Sequence, residues 1–258
     1  MSLVENQISA LREVDEVWPG VSAVIIGATA LGFYFDMRWR QTADVDLVVA
    51  LTLDEFPDLG ARSGWRRHAK REHEFVSPSG AKLDLLPAGA RLLQEGRLQW
   101  RDGSVMSLEG MDLAFEHAEP HVVQGYRVLV APPPVIAILK MVSFGERPAE
   151  RERDLEDIAH LLDAYVDESS GRRWDDAAEC GEFDLAPAYL LGLDIHRLLA
   201  SDVHRAIVSG FLRQIESPES TSHLLMSSLG PERWRTEENP LARRIDAFRA
   251  GMKRGRGA

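Results

Sequence analysis

The pattern of apolar and polar positions predicts both helices and strands in the first two-thirds of the chain. Apolar residues in 3–17 recur at three- and four-residue intervals, which is typical of an amphipathic helix. Short β-branched or apolar runs bounded by turn residues are typical of strands. The predicted strands are 21–27, 45–51, 72–77, 81–86 and 126–134. Pro78-Ser79-Gly80 is a favourable turn sequence, so it predicts a hairpin between the third and fourth of these strands.

The remaining predicted elements are helices, and they dominate the end of the chain. Those in the first two-thirds are 28–37, 133–145 and 149–166, and those in the last third are 186–200, 202–216 and 240–252. The polar segment 167–176 separates the two parts. We therefore predict an α/β (α+β) domain at 1–166 and a mainly helical C-terminal region with a basic tail at 167–258.

Two carboxylates interrupt the strand predicted at 45–51. Side chains alternate along a strand, so Asp44 and Asp46 point to the same face. Two like charges that close are costly unless a cation or solvent compensates them, and a divalent metal does this well. The alternative is that Asp44 caps the strand and Asp46 faces water. Asp84, in the apolar run 81–86, is either a third acidic ligand or an exposed residue of an edge hairpin.

The segments around the two aspartates suit phosphate binding. A predicted buried strand ends at Gly27 and a helix follows at once, and helix N-termini bind phosphate. Gly27 would let a phosphate approach the backbone, and Thr29 offers a hydroxyl. Arg40 and Thr42 lead into the aspartate pair; Arg40 would contact a triphosphate or form a structural ion pair.

The overall charge argues against nucleic acid as a partner, but two local stretches are basic. A formal net charge of −11 disfavours nucleic-acid binding through bulk charge. Two basic stretches, 62–73 and 243–257, oppose this trend. They are interpreted either as a solvated loop and a frayed tail or as local contacts for a polyanion such as RNA.

The composition also restricts the compartment. Cys180 is the only cysteine, which excludes an intrachain disulfide. No apolar run reaches the roughly 18–20 residues of a transmembrane helix, and the N-terminus lacks the pattern of a signal peptide. We therefore predict a cytoplasmic protein with no membrane partner. The histidines, His73 among them, show no spacing typical of a metal site.

Two parts of the sequence resemble one family. "GATAL…RQTADVDLVV" resembles the signature of the nucleotidyltransferase superfamily, which has the polymerase-beta-like fold, and "KLDLL" supplies the third acid. The stretch 131–162 is similar to a recurrent helix pair of bacterial members. The matching residues there are Lys140, Arg153, Asp154, Asp157 and Ile158. The combination, over about 21–165, points to the AbiEii-like toxin branch.

The resemblance implies a fold and a set of roles. The fold would be a nucleotidyltransferase-like mixed sheet flanked by helices, with 1–166 as the catalytic domain. Asp44 and Asp46 would bind two Mg²⁺ ions, with Mn²⁺ as the alternative, and Asp84 would bind one of them and help deprotonate the acceptor. The residues assigned to nucleotide binding are Gly27, Ala28, Thr29, Arg40, Thr42 and Lys140. Ala28 departs from the glycine or serine of the family, and Lys140 either offsets phosphate charge or is solvated.

The implied activity is transfer of a nucleoside monophosphate from an NTP to a hydroxyl of RNA such as tRNA, of a protein or of a small molecule. The protein would then be the toxin of a toxin–antitoxin pair, with an antitoxin partner and with RNA contacted through 62–73. Two alternatives remain open. One is a catalytically degenerate protein that only binds a nucleotide or a partner, and the other is an aminoglycoside-type nucleotidyltransferase.

Overall fold

The computed structural model describes residues 3–37, 40, 44–54, 56 and 59–255. The chain forms two compact units, Met1–Pro132 and Pro133–Ala258. The first unit is built around a mixed sheet, and the second is helical. The predicted fold class is therefore confirmed.

A seven-stranded sheet forms the centre of the first unit. Its strands are β1 (Ala23–Ile26), β2 (Asp44–Val49), β3 (Arg66–Arg67), β4 (Glu74–Val76), β5 (Lys82–Pro87), β8 (Glu119–Val123) and β9 (Tyr126–Val130). The spatial order is β3-β4-β5-β2-β1-β9-β8. Strand β2 is antiparallel to β1 and parallel to β5, and β1 is parallel to β9. The start of β2 therefore lies beside the end of β1.

Smaller elements complete the first unit. They are the helices α1 (Glu5–Val17), α2 (Gly27–Leu31), α3 (Ala90–Glu95) and α4 (Met111–His117), the hairpin β6 (Arg97–Gln99) and β7 (Val105–Ser107), and a 3₁₀ turn at Leu59–Ala61. The helix predicted at 28–37 is shorter than expected, because α2 ends before Gly32. The predicted hairpin is confirmed, since β4 and β5 are antiparallel around the turn at 78–80.

The alternation of side chains along β2 separates the core from the polar residues. Val45, Leu47 and Val49 share one face and are buried, whereas Asp44 and Asp46 on the other face are partly exposed. The hydrophobic half of the strand therefore fixes the strand in the sheet. The aspartates lie on the other face, where they are partly exposed and can contact a ligand.

The second unit consists of helices. These are α5 (Pro133–Glu146), α6 (Glu152–Ala164), α7 (Arg172–Asp175), α8 (Ala186–Leu198), α9 (Asp202–Ile215), α10 (Thr221–Leu229) and α11 (Pro240–Arg254), with 3₁₀ turns at Ala178–Cys180, Phe183–Leu185 and Glu232–Thr236. Helices α8 and α11 approach closely at two glycines. A Cβ at Gly192 or at Gly251 would overlap a backbone carbonyl oxygen of the facing helix, so only glycine fits there.

Of two predictions about the C-terminal half, one is wrong and the other stays a prediction. The interpretation of 243–257 as a frayed tail is wrong through Arg254, because these residues form α11. Arg244 is fully buried, and its guanidinium pairs with Glu237 and Asp163. The domain boundary near 167 stays a prediction. Helix α6, which precedes that boundary, packs against α5, α8 and α10 within the second unit.

Within the described residues no helix is both long and apolar enough to span a bilayer.

Candidate active site

The candidate site is a row of carboxylates across three neighbouring strands. Asp46 on β2 and Asp84 on β5 are direct partners in the parallel register. Glu74 on β4 is in turn the partner of Asp84. Residues that face each other in register point to the same side of a sheet, so the three carboxylates share one face. Asp44, two residues before Asp46, shares that face and has Lys82 as its partner on β5.

A glycine at the end of β1 makes room for this row. Gly27 has φ +68°, a conformation that favours glycine. A Cβ on Gly27 would overlap Oδ2 of Asp46 and lie 2.8 Å from its Cγ. The Asp46 carboxylate therefore fills the space that a side chain at position 27 would need. Gly27 thus acts on the geometry of the carboxylates, whatever its contact with a nucleotide.

The other residues assigned to nucleotide binding lie in different surroundings. Thr29 is buried, and its hydroxyl donates a hydrogen bond of 2.7 Å to the backbone carbonyl of Asp44. This bond anchors the start of β2. Ala28 is buried in α2, and the backbone N–H of Arg40 donates to the carbonyl of Met37. Thr42 lies outside the described residues. The nucleotide contacts of these residues stay predictions.

The electrostatics of the row favour a bound cation. Burial, followed by the charges of Asp46, Glu74 and Asp44, raises the pKa of Asp84 to about 7, against the opposing effect of Arg71. A raised carboxyl pKa means that the negative charge is unfavourable in this place. A cation close to Asp84 would relieve that cost.

Two members of the site were missed from the sequence. Ligand-type atoms of His73, Glu74 and Asp84 all lie within 4.8 Å of one another. The predicted hairpin contained the information needed to find Glu74. A turn at 78–80 pairs Val76 with Lys82, and counting two residues outward places Glu74 opposite Asp84. His73 has no such signal, because Asp84 comes close to it only through the pairing of β4 with β5.

The basic stretch 62–73 lies beside the carboxylates on the edge of the sheet. Strand β3 pairs with β4 through Arg66 and Arg67, and the backbone N–H of His68 donates to the carbonyl of Glu74. The Arg71 guanidinium forms an ion pair with Glu74. The exposed basic residues of the stretch are Arg62, Arg66, Arg67, Lys70 and Arg71. Exposed cations therefore lie next to the candidate site within the same unit.

Lys140 is not solvated, so that alternative is wrong. Its ammonium is buried in the second unit, 3.1 Å from Asp154 Oδ1 and 2.5 Å from Asp157 Oδ2. The two aspartates lie on α6 and the lysine on α5, so these ion pairs join the two helices. Asp154 and Asp157 therefore brace the helix pair through Lys140. A contact of Lys140 with nucleotide stays a prediction.

A mixed sheet that carries carboxylates on one face is what the resemblance to nucleotidyltransferases implied. A family model described as "Nucleotidyl transferase AbiEii toxin, Type IV TA system" matches residues 19–236. Because the match spans most of the chain, the protein belongs to the AbiEii nucleotidyltransferase toxin family. The resemblance noted from the sequence is therefore confirmed.

Solved structures with related descriptions are distant. One is an antigenic nucleotidyltransferase-like protein from Paracoccidioides brasiliensis, 14% identical, with a TM-score of 0.43, covering 83% of this chain and 90% of its own. Another is a candidate nucleotidyltransferase from H. pylori, 13% identical, with a TM-score of 0.35, covering 99% of this chain and 98% of its own. No curated protein matches the sequence.

Proposed function

We propose that this protein is a Mg²⁺-dependent nucleotidyltransferase that transfers a nucleoside monophosphate from an NTP to a hydroxyl group. The observation that carries the proposal is the pairing of Asp46 with Asp84 across β2 and β5, with Asp44 on the same face. Membership of a nucleotidyltransferase toxin family supports the reaction class. The same family supports a role as the toxin of a toxin–antitoxin pair with an antitoxin partner.

The donor set suits Mg²⁺. Asp44 and Asp46 would hold two ions, and Asp84 would share one of them. The fit rests on the oxygen-only character of this set and on the raised pKa of Asp84, which comes first from burial and then from the charges of Asp46, Glu74 and Asp44. A dication would offset the cost of the negative charge there. Bound Mg²⁺ would stabilise the charge on the attacking and leaving oxygens. Gly27 contributes by leaving space for the Asp46 carboxylate.

Asp84 is the proposed acceptor of the proton. The oxygen of the acceptor hydroxyl bonds to the α-phosphorus, the bond from that phosphorus to the bridging oxygen of the β-phosphate breaks, and pyrophosphate leaves. The hydroxyl proton must move to a base within hydrogen-bond reach. Asp84 lies in register with Asp46 on the neighbouring strand, so its carboxylate is close to an acceptor hydroxyl held at the proposed metal site. Its proposed role as the base therefore rests on its position.

The proposed acceptor is RNA, such as tRNA. The exposed cations of 62–73 lie beside the carboxylate row, and the Arg71–Glu74 ion pair joins the two directly. Lys and Arg contacts to phosphate supply affinity without reading the sequence. A small cationic acceptor such as an aminoglycoside would be repelled by the same residues.

The reaction is tested by incubating the protein with each labelled NTP, Mg²⁺ and total tRNA. We expect label in the RNA for the native chain and none for Asp46→Asn. Asp202→Asn is the matched control, because Asp202 is an exposed aspartate of the second unit. Transfer by Asp46→Asn at the native rate would refute the assigned site. Nucleotide binding without transfer to any acceptor would favour the degenerate alternative.

The acceptor is tested by a quadruple alanine variant of Arg66, Arg67, Lys70 and Arg71. We expect it to lose RNA labelling and to keep NTP affinity, with a reduced salt dependence of RNA binding. The control replaces four exposed arginines of the same unit, Arg12, Arg91, Arg97 and Arg127, and so changes the net charge equally. Unchanged labelling of tRNA in the first variant would refute the RNA acceptor, and a gain on an aminoglycoside panel would support the drug alternative.

A further inference from the structure

The outer end of the carboxylate row brings together a mixed set of donor atoms. A ring nitrogen of His73 and carboxylate oxygens of Glu74 and Asp84 lie within 4.8 Å of one another, and all three side chains are partly exposed. Donors around a first-row dication lie about 3.0–3.5 Å apart when the bonds are about 2.0–2.2 Å long. Small side-chain rotations would therefore bring the three atoms onto one ion.

The backbone holds these residues together. Glu74 and Asp84 are register partners on β4 and β5. The carbonyl of His73 accepts a hydrogen bond of 2.9 Å from the N–H of Leu85. The ring of Trp100 lies 5.4 Å from the His73 ring and limits the orientations of the imidazole. The convergence thus follows from strand pairing and packing.

The chemistry of this set differs from that of the three aspartates. Mg²⁺ selects oxygen donors, whereas imidazole suits zinc and other first-row transition metals. We infer that His73, Glu74 and Asp84 form a binding site for a first-row transition-metal dication, with Zn²⁺ bound more tightly than Mg²⁺. This inference touches the proposed function through Asp84, which belongs to both sets.

Arg71 competes for the same site. Its guanidinium is ion-paired with Glu74, and its side chain is 63% exposed. A metal bound through Glu74 must displace this guanidinium or share the carboxylate with it. Removing Arg71 therefore raises the affinity for the metal, whereas removing a donor lowers it. The two substitutions change the affinity for the metal in opposite directions, whereas a general loss of structure would lower it in both variants.

The test uses Co²⁺ as a spectroscopic probe, without nucleotide. The native chain should bind Co²⁺ with visible absorption, and Zn²⁺ should displace it at concentrations where Mg²⁺ does not. We expect His73→Gln to weaken Co²⁺ binding by at least about tenfold, since even loss of an outer-shell partner of a metal ligand costs that much. His117→Gln, at an exposed histidine of the same unit, should bind as the native chain does. Arg71→Ala should bind severalfold more tightly.

Unaltered Co²⁺ affinity in His73→Gln would overturn the inference, and so would equal displacement by Mg²⁺ and Zn²⁺. Far-ultraviolet circular dichroism of each variant checks folding, and the Arg71→Ala result supports or contradicts the site without loss of any donor. Titrating Asp44→Asn with Co²⁺ separates the proposed metal site from the proposed function, because Asp44 belongs to the Mg²⁺ set and not to the His73 set. Co²⁺ binding that depends on His73 but occurs without NTP transfer by the native chain contradicts the proposed function alone. Transfer without His73-dependent Co²⁺ binding contradicts the inference alone.

Discussion

Neutralising Asp84 should stabilise the metal-free protein above neutral pH. The pKa of this carboxyl rises from 3.8 to about 7 on folding, chiefly through burial and then through Asp46. At about 1.36 kcal/mol per pKa unit, the full shift corresponds to about 4 kcal/mol. Because the carboxyl is partly open to solvent, we take about half of this, about 2 kcal/mol. Asp84→Asn removes the charge at every pH and should recover that amount.

The sign of the pH dependence follows from proton binding. Below 3.8 the carboxyl is protonated in both the folded and the unfolded chain, so no cost arises. Between 3.8 and about 7 the unfolded chain ionises while the folded chain holds its proton, so the free energy of unfolding falls as the pH rises. Above about 7 the cost is complete. The gain from Asp84→Asn should therefore be about 2 kcal/mol at pH 8 and about 1 kcal/mol at pH 5.

The measurement is urea unfolding in the presence of a chelator at the two pH values. Asp54→Asn is the control, since Asp54 is an exposed aspartate of the same unit, and it should change the stability little. A direct titration of the Asp84 carboxyl by carbon NMR gives the pKa independently. Destabilisation by Asp84→Asn at both pH values, or a gain that is equal at both, would refute the electrostatic argument.

Three further predictions concern the candidate active site and the helix pair of the second unit. Millimolar Mg²⁺ should raise the melting temperature of the native chain, because a ligand of the folded state stabilises it, and Asp46→Asn should reduce this rise in a thermal scan. Gly27→Ala should abolish NTP transfer, because its Cβ would overlap the Asp46 carboxylate and its φ of +68° is strained for alanine; native activity would contradict this. Lys140→Met should destabilise the second unit by roughly 3–5 kcal/mol in urea unfolding, since it leaves the charges of Asp154 and Asp157 buried; a loss under about 1 kcal/mol would contradict the stabilising role of the ion pairs.

Local patterns in the sequence determined the elements that contribute most to the core. The β-branched runs of β1 and β2 and the turn at 78–80 specify strands through short-range sterics and hydrophobic alternation. The common face of Asp44 and Asp46 follows from the two-residue period of any strand. Strand β8 was missed because it is a largely exposed edge strand, in which Val122 is 73% exposed, so burial imposes no alternation on it.

Tertiary structure decided what these elements do together. The parallel pairing of β2 with β5 places Asp46 beside Asp84, and no local pattern specifies a contact between strands so far apart in sequence. The left-handed backbone of Gly27 and the burial of Lys140 likewise depend on what packs against them. The sequence by itself therefore determined which residues could carry chemistry and on which face of a strand they lie. Only the fold decided which of them meet, because strand partners and register are set by long-range burial of the hydrophobic face.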